Sequence, residues 1–329
     1  MKYTKLGESD ITVSVVAMGC WALAGDWVWG EQDDRESMAT VRAALDAGVN
    51  FFDTAEMYGD GRSEVVLGKA LNGHRHEAVI ATKVSADHLS RVEIQRACER
   101  SLQRLNTDYI DLYQIHWPNW ETPIAETLEA LEELRSQGKV RAIGVCNFGI
   151  GDLSALLSTG RCVTDQLPYS LLWRGIEYQV KQTCMDNNIG ILCYSPLAQG
   201  LLTGKFASAD DVPDERARTR HFARNRPLTR HNEDGCEAET FATIKKIRSI
   251  CAEIDASMAE VALAWVLNQP GVTAVLAGAR HPGQIKHNAH AADLELPSDV
   301  VSELTRATDE LKRRLGANLD QQQSNSRYR

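Results

Sequence analysis

The sequence predicts an α/β protein, a (β/α)8 TIM barrel preceded by a short N-terminal β-hairpin. Three observations lead there. Eight apolar runs of strand length recur along the 329 residues. Between them lie longer segments with apolar residues every three or four positions, the pattern of helices packed on fully buried parallel strands. No linker rich in Gly, Pro or Ser interrupts the series, so residues 1–329 read as one barrel domain. A doubly wound open sheet shares this alternation and is the alternative, because pattern alone does not establish closure.

The elements follow in order. Tyr3 to Val16 alternates loosely around Gly7 and Asp10 and predicts the hairpin. The strand candidates are Val15–Gly19, Asn50–Asp53, Val79–Lys83, Ile110–His116, Val140–Asn147, Val163–Leu167, Gly190–Ser195 and Val272–Ala277. Helix starts are marked by Asp33 with Glu36, Ser90 with Glu93 and Ser257 with Glu260, each at capping-box spacing, and by Pro123 after Thr122. Ile94, Ala97, Cys98, Ser101, Leu102 and Leu105 fall on one helical face, as do Ala125, Leu128, Leu131 and Leu134; these are core stripes. Gly48 and Gly138 mark helix ends. Regularity lapses over 205–235, a long loop after the seventh barrel strand, and 316–329 reads as a flexible tail.

Composition narrows the function. The formal charge of −9 argues against a general nucleic-acid binder. No stretch reaches the length of a membrane span, and Met1 to Asp10 carries no apolar signal core, so the expected location is cytoplasmic, away from any membrane. The eight cysteines form no CxxC pair and read as small core residues in a reducing compartment. One basic region stands apart: Arg216, Arg218, Arg220, Arg224, Arg226 and Arg230 lie between Asp214 and His231, either as a solvated loop or as a cover over a phosphate-bearing ligand.

Barrel chemistry gathers where strands end. Three strand ends carry titratable residues after apolar runs: Asp53, Lys83 and His116. Each alone has a structural reading. Together, adjacent strands bring them to one rim, and the loop after Asp53 carries Tyr58 towards them. Asp53 gives a buried lysine its partner. The lysine cation favours tyrosinate, which predicts a lowered Tyr58 pKa and a proton donor and acceptor suited to a carbonyl oxygen. No side chain donates hydride, so a cofactor must. Asp53 and His116 lack a third metal ligand at compact spacing, and Lys83 adds a like charge; no metal is expected.

At this point the sequence resembles the aldo-keto reductase family, from Leu6-Gly7 to about Leu296. Asp53-Thr54-Ala55-Glu56-Met57-Tyr58-Gly59-Asp60-Gly61-Arg62-Ser63-Glu64 is similar to the family's second-strand signature, and Lys83 and His116-Trp117-Pro118 match the rest of its catalytic tetrad. The resemblance implies that Asn147 holds the nicotinamide carboxamide, that Gln166 shares that task, and that Tyr194 stacks on the ring. Cys146 stands where the family often has serine. Ser195, Leu197, Gln199 and Gly200 fall in the segment that runs along the pyrophosphate. Arg280 would meet the 2′-phosphate, with Gln284 and Asn288 around the adenosine. The implied cofactor is NADPH, with NADH as the alternative, and the implied partner is a small-molecule carbonyl substrate. A homo-oligomer is compatible with the pattern.

For the substrate pocket the candidates are Trp21, Trp29, Trp117 and Trp120, with Trp27 and Trp173 nearby. Indole rings pack on the C–H faces of sugars, and His116, Asp26, Glu31 and Arg174 add polar groups, which favours a small polar or sugar-like aldehyde. A second function within the same family, a cofactor-binding redox-sensing subunit of a membrane channel, is disfavoured by the lack of an extended segment before the barrel.

Overall fold

The computed structural model describes all 329 residues. A two-stranded antiparallel hairpin, β1 (Tyr3–Lys5) and β2 (Thr12–Ser14), precedes eight parallel strands: β3 (Val16–Gly19), β4 (Phe51–Asp53), β5 (Val79–Val84), β6 (Ile110–Ile115), β7 (Val140–Cys146), β8 (Thr164–Pro168), β9 (Gly190–Tyr194) and β10 (Val272–Gly278). They run in sequence order around a closed barrel, β10 pairing with both β9 and β3. The closed barrel excludes the open-sheet alternative.

The outer helices are α1 (Asp34–Asp46), α2 (Arg62–Ala70), α3 (Arg91–Leu105), α4 (Ile124–Ser136), α5 (Ile150–Leu157), α6 (Val180–Asp186), α7 (Glu237–Glu253), α8 (Met258–Leu267), α9 (Pro282–His290) and α10 (Ser298–Leu315). Asp33 caps α1 through the amides of Arg35 and Glu36, and Ser257 caps α8 through Glu260. Ser90 precedes α3 without a side-chain cap. None of the helices is long and apolar enough to cross a membrane. All eight cysteines are buried and free.

The barrel interior is polarised along its axis, and strand alternation is the reason. Inward positions recur every second residue. Towards the strands' N-terminal ends these are Phe51, Ala81, Leu112, Ala142, Leu192 and Ala274, which form a separate apolar cluster with Leu6, Ile11 and Val13 of the hairpin region. The hairpin therefore plugs the bottom. Gly7 is required there: its φ is +55°, and a Cβ would stand 2.0 Å from the carbonyl oxygen of Val163. One or two steps further along each strand the inward residues turn polar: Asp53, Lys83, Gln114 and Gln166, all buried. The register sets Lys83 directly beside Gln114. Gly144 leaves room for this layer, since a Cβ there would lie 2.5 Å from Thr164 Oγ1 and 3.1 Å from Gln114 Cγ.

The irregular stretch after β9 has no long helix before α7. Residues 316–329, expected to fray, instead pack on the rim. Leu319 joins the main core, and Asp320 is 1% exposed and doubly bonded to Arg327. The holding device is Arg220, whose guanidinium donates to the carbonyls of Leu315 and Asn318 while its backbone N–H donates to Gln321.

Candidate active site

The loop that delivers Tyr58 is pinned from beneath. The hydroxyl of Thr54 donates to Ser63, whose hydroxyl donates to the carbonyl of Cys20, each at 2.8 Å. Between them the chain turns through Gly59, Asp60 and Gly61, all at positive φ. Tyr58 arrives over β4 and β5 with Trp21 stacked on its ring at 5.7 Å and His116 edge-on at 5.8 Å.

Lys83 is fully buried. Its ammonium donates to Asp53 Oδ1 at 2.6 Å, to the carbonyl of Thr54 at 2.9 Å and to Tyr58 Oη at 3.3 Å. Burial disfavours its charge, but Asp53 outweighs that and Lys83 titrates above the ordinary lysine range. The other oxygen of Asp53 accepts from Gln166 at 2.7 Å and from Gln114 at 3.3 Å. Asp53, Lys83 and His116 from the strand ends and Tyr58 from the loop thus meet at one point.

The Tyr58 pKa moves opposite to expectation. Burial pushes the phenol up to about 12; Lys83 opposes this and Asp53 adds to it. Desolvation of the tyrosinate outweighs attraction to the lysine, because that lysine is already shared with Asp53. Tyr58 is therefore protonated at neutral pH. Burial and the Lys83 cation hold His116 well below the usual histidine range, so its imidazole is neutral, and its buried Nδ1 has no partner.

A cavity of about 810 Å³ opens beside His116 and is walled by Trp117, Trp120, Glu56, Arg100 and Arg327. Trp21 and Trp29, grouped with them from sequence, do not line this cavity: Trp21 stacks on the Tyr58 ring, and Trp29 meets Trp21 edge-on with Arg216 over the Trp29 ring at 5.3 Å. Trp173 is a core residue. Arg174 offers nothing to a pocket, being spent on Glu177, Asp309, Thr308 and the carbonyl of Thr305. Asp26 holds the Trp21 indole N–H at 2.7 Å, and the Glu31 carbonyl accepts from Arg280.

Further polar residues follow around the rim, at and after the ends of β7, β9 and β10. Asn147 sits at the end of β7 in the left-handed region at φ +63° and accepts the Tyr194 hydroxyl at 2.9 Å. After β9 the backbone is strained: Ser195, Ala198 and Gln199 have φ of +52°, +46° and +54°, followed by Gly200 at +98°. Non-glycine residues in this region cost about 1–3 kcal/mol each and collect at functional sites. Leu197 lies within the same turn, its carbonyl accepting from Gly200. At the far end Gln284 accepts from the Arg280 backbone, Asn288 donates to the Gly278 carbonyl, and the Arg280 guanidinium bonds Gln32.

Three neighbouring cations, Lys205, Arg216 and Arg280, have no carboxylate within ion-pair distance, and Arg216 is repelled by the other two. Burial and Arg216 lower the Lys205 pKa; burial and Arg280 lower that of Arg216. Nearby, the buried Gln199 Oε1 has no donor. Such a set suits an anion that also carries N–H or O–H groups, such as a dinucleotide with a ribose phosphate. The arginine-rich segment thus divides. Arg220, Arg224 and Arg226 are paired with Glu233, Asp234 and Glu237, whereas Arg216 over Trp29 and Arg218 over Trp27 have no ion pair. Gln114 and Gln32 were missed from sequence, whereas Lys205 closes the Gln199–Lys205 segment that the family resemblance placed along the pyrophosphate. Gln114 had a signal, standing two residues before His116 and therefore on the same barrel face.

The chain is 38% identical over 297 residues to the aldo-keto reductase YhdN of Bacillus subtilis, covering 87% of each chain. It is 36% identical over 330 residues to the NADH-specific methylglyoxal reductase of Escherichia coli, covering 93% of this chain and 98% of that protein. The crystal structure of an aldo-keto reductase from Klebsiella pneumoniae in complex with NADPH superposes with a TM-score of 0.75 at 30% identity, covering 93% of this chain and 95% of that one. The model of the aldo/keto reductase family matches residues 15–309, and the chain belongs to that family.

Proposed function

We propose that this protein reduces a small polar aldehyde or ketone to the alcohol at the Tyr58 hydroxyl, with NADPH as the reductant. The observation that carries the reading is the chain of contacts Tyr58–Lys83–Asp53 beside a neutral His116, which itself lines a cavity of substrate size. The reduced nicotinamide supplies the hydride when bound. Tyr58, protonated at neutral pH, donates to the carbonyl oxygen; the adjacent Lys83 ammonium offsets the negative charge left on the phenolate, and Asp53 keeps Lys83 charged. Neutral His116 presents its imidazole to the same oxygen without adding a charge. Asn147 and Tyr194 would hold the nicotinamide end, and Ser195–Gly200 with Lys205, Arg216 and Arg280 would hold the phosphates.

The unpaired Arg280 favours a 2′-phosphate and hence NADPH, while the E. coli relative's name specifies NADH. Indole walls and mixed charges around the cavity favour sugar-like or α-oxo aldehydes. The test follows NADPH and NADH oxidation against methylglyoxal, glyceraldehyde, aldoses and an aromatic aldehyde. Tyr58→Phe is expected to slow the chemical step by about 10²–10⁴-fold with cofactor affinity preserved. A fully active Tyr58→Phe enzyme removes the proposal, and equal NADPH and NADH affinities unmoved by Arg280→Ala remove the cofactor assignment.

A further inference from the structure

Asn147 has no free hydrogen-bonding capacity. A side-chain amide offers two N–H donors and one oxygen with two lone pairs. Here Nδ2 donates to the His116 carbonyl at 3.0 Å and to Cys146 Sγ at 3.1 Å. Oδ1 accepts from the Tyr194 hydroxyl at 2.9 Å and from the Tyr328 hydroxyl at 2.7 Å. Three of these partners stand on barrel strands or at their ends. Tyr328 alone comes from the segment after α10.

That segment is seated in a socket shaped for it. The Arg329 carbonyl accepts from the amides of Gly151 at 2.6 Å and Asp152 at 3.2 Å, at the start of α5, and its own amide donates to Asp152 Oδ2 at 2.9 Å. A Cβ on Gly149 would lie 2.2 Å from that carbonyl oxygen. Arg327 lays its guanidinium 3.8 Å over the Trp117 ring and is clamped by the buried Asp320, and the Tyr328 ring meets Trp117 edge-on at 5.4 Å. Tyr328 and Arg327 therefore touch the two parts of the site at once: the amide that would receive a carboxamide, and the indole that walls the substrate cavity.

We propose that residues 320–329 form a strap whose Tyr328 hydroxyl occupies the carboxamide's place on Asn147, so that docking of the strap and binding of the nicotinamide exclude one another. The inference rests on the cofactor reading above. A carboxamide N–H can reach Oδ1 only by displacing a hydroxyl, and Tyr328 is the one whose departure leaves the barrel intact. Its release frees Arg327 from Trp117, so filling the cofactor groove also opens the substrate wall. Apparent cofactor affinity is then the intrinsic affinity multiplied by the fraction of molecules whose strap is undocked.

Binding of NADPH and of 2′,5′-ADP, which lacks the nicotinamide, is measured by calorimetry on the wild type, Tyr328→Phe and Gly149→Ala, with amide hydrogen exchange alongside. Tyr328→Phe keeps the ring on Trp117 but loses one hydrogen bond, a change of about 3–10-fold in docking. NADPH should bind up to that much more tightly, and 2′,5′-ADP should bind unchanged. Gly149→Ala evicts the Arg329 carbonyl and should give at least as large a gain. In the wild type, NADPH but not 2′,5′-ADP should speed exchange at Gly151, Asp152 and 320–329. Unchanged or weaker NADPH binding by both variants, or no faster exchange in the strap, overturns the proposal. If neither NADPH nor NADH binds to any of the three proteins, the cofactor reading fails first, and the strap fails with it.

Discussion

Removing Lys83 separates the electrostatic role of the buried pair from its structural one. In Lys83→Met the Asp53 carboxylate loses its 2.6 Å partner in a fully buried setting, and breaking one side of such a pair costs about 3–5 kcal/mol. Asp53 keeps the amides of Gln166 and Gln114 on its second oxygen, which places the loss at the lower end, about 3 kcal/mol. The chemical step suffers independently. Lys83 is the group that opposes the upward shift of Tyr58; without it the phenol climbs beyond about 12 and the phenolate formed on proton donation has no countercharge. A loss of about 10²–10⁴-fold in single-turnover rate follows. The double variant Lys83→Met with Asp53→Asn removes both charges, and should regain about 2 kcal/mol of stability over the single variant while recovering none of the rate. Urea unfolding and rapid-mixing turnover at saturating cofactor measure the two quantities. A double variant no more stable than Lys83→Met, or a single variant retaining its rate, would refute the reasoning.

Two further expectations concern the frame around the site. Gly7→Ala forces a methyl against the Val163 carbonyl, which accepts from Gly190 at 3.0 Å, and adds positive-φ strain, so the urea midpoint should fall by an amount equivalent to about 2–4 kcal/mol. The turnover of folded protein should not change, since the plug lies at the opposite end of the barrel; a large fall in kcat at full folding contradicts that polarity. His221, which bonds the Leu172 carbonyl beside the tail-holding Arg220, is held down to about 4, chiefly by burial, with Arg220 and His231 adding repulsion. The native state therefore binds fewer protons than the unfolded chain between pH 6.5 and about 4, so its stability is complete above that window and falls on acidification, by about 2 kcal/mol at pH 5. Unfolding curves at pH 7 and 5 should show His221→Gln losing less over that interval than the wild type; equal losses would sink the assignment.

Much of this protein was legible one residue at a time. Buried parallel strands must be apolar throughout, so the eight runs and their order stood out, and their observed ends fall within two residues of those read from sequence. A charged residue closing such a run has no reason to be there unless the fold gives it a partner, which made Asp53, Lys83 and His116 visible together. The hairpin was plain from its loose alternation around Gly7 and Asp10, and the long loop after β9 from its lack of helical or strand periodicity.

What the sequence could not determine were quantities set by competition among groups distant along the chain. The Tyr58 shift depends on burial measured against a lysine already engaged by Asp53, and local sequence suggested only the lysine. Arg216 and Arg220 look alike in sequence; Glu233 and three tail carbonyls make one a structural tie, while the other has no carboxylate within ion-pair distance. The tail looked free because polar composition signals disorder only when nothing awaits it, and its seat is made from Gly149, Gly151 and Asn147, residues more than 160 positions earlier. Strand pattern and strand-end chemistry are properties of short windows and are determined by the sequence alone. Which polar groups satisfy one another is a property of three-dimensional packing, and only the tertiary structure decided it.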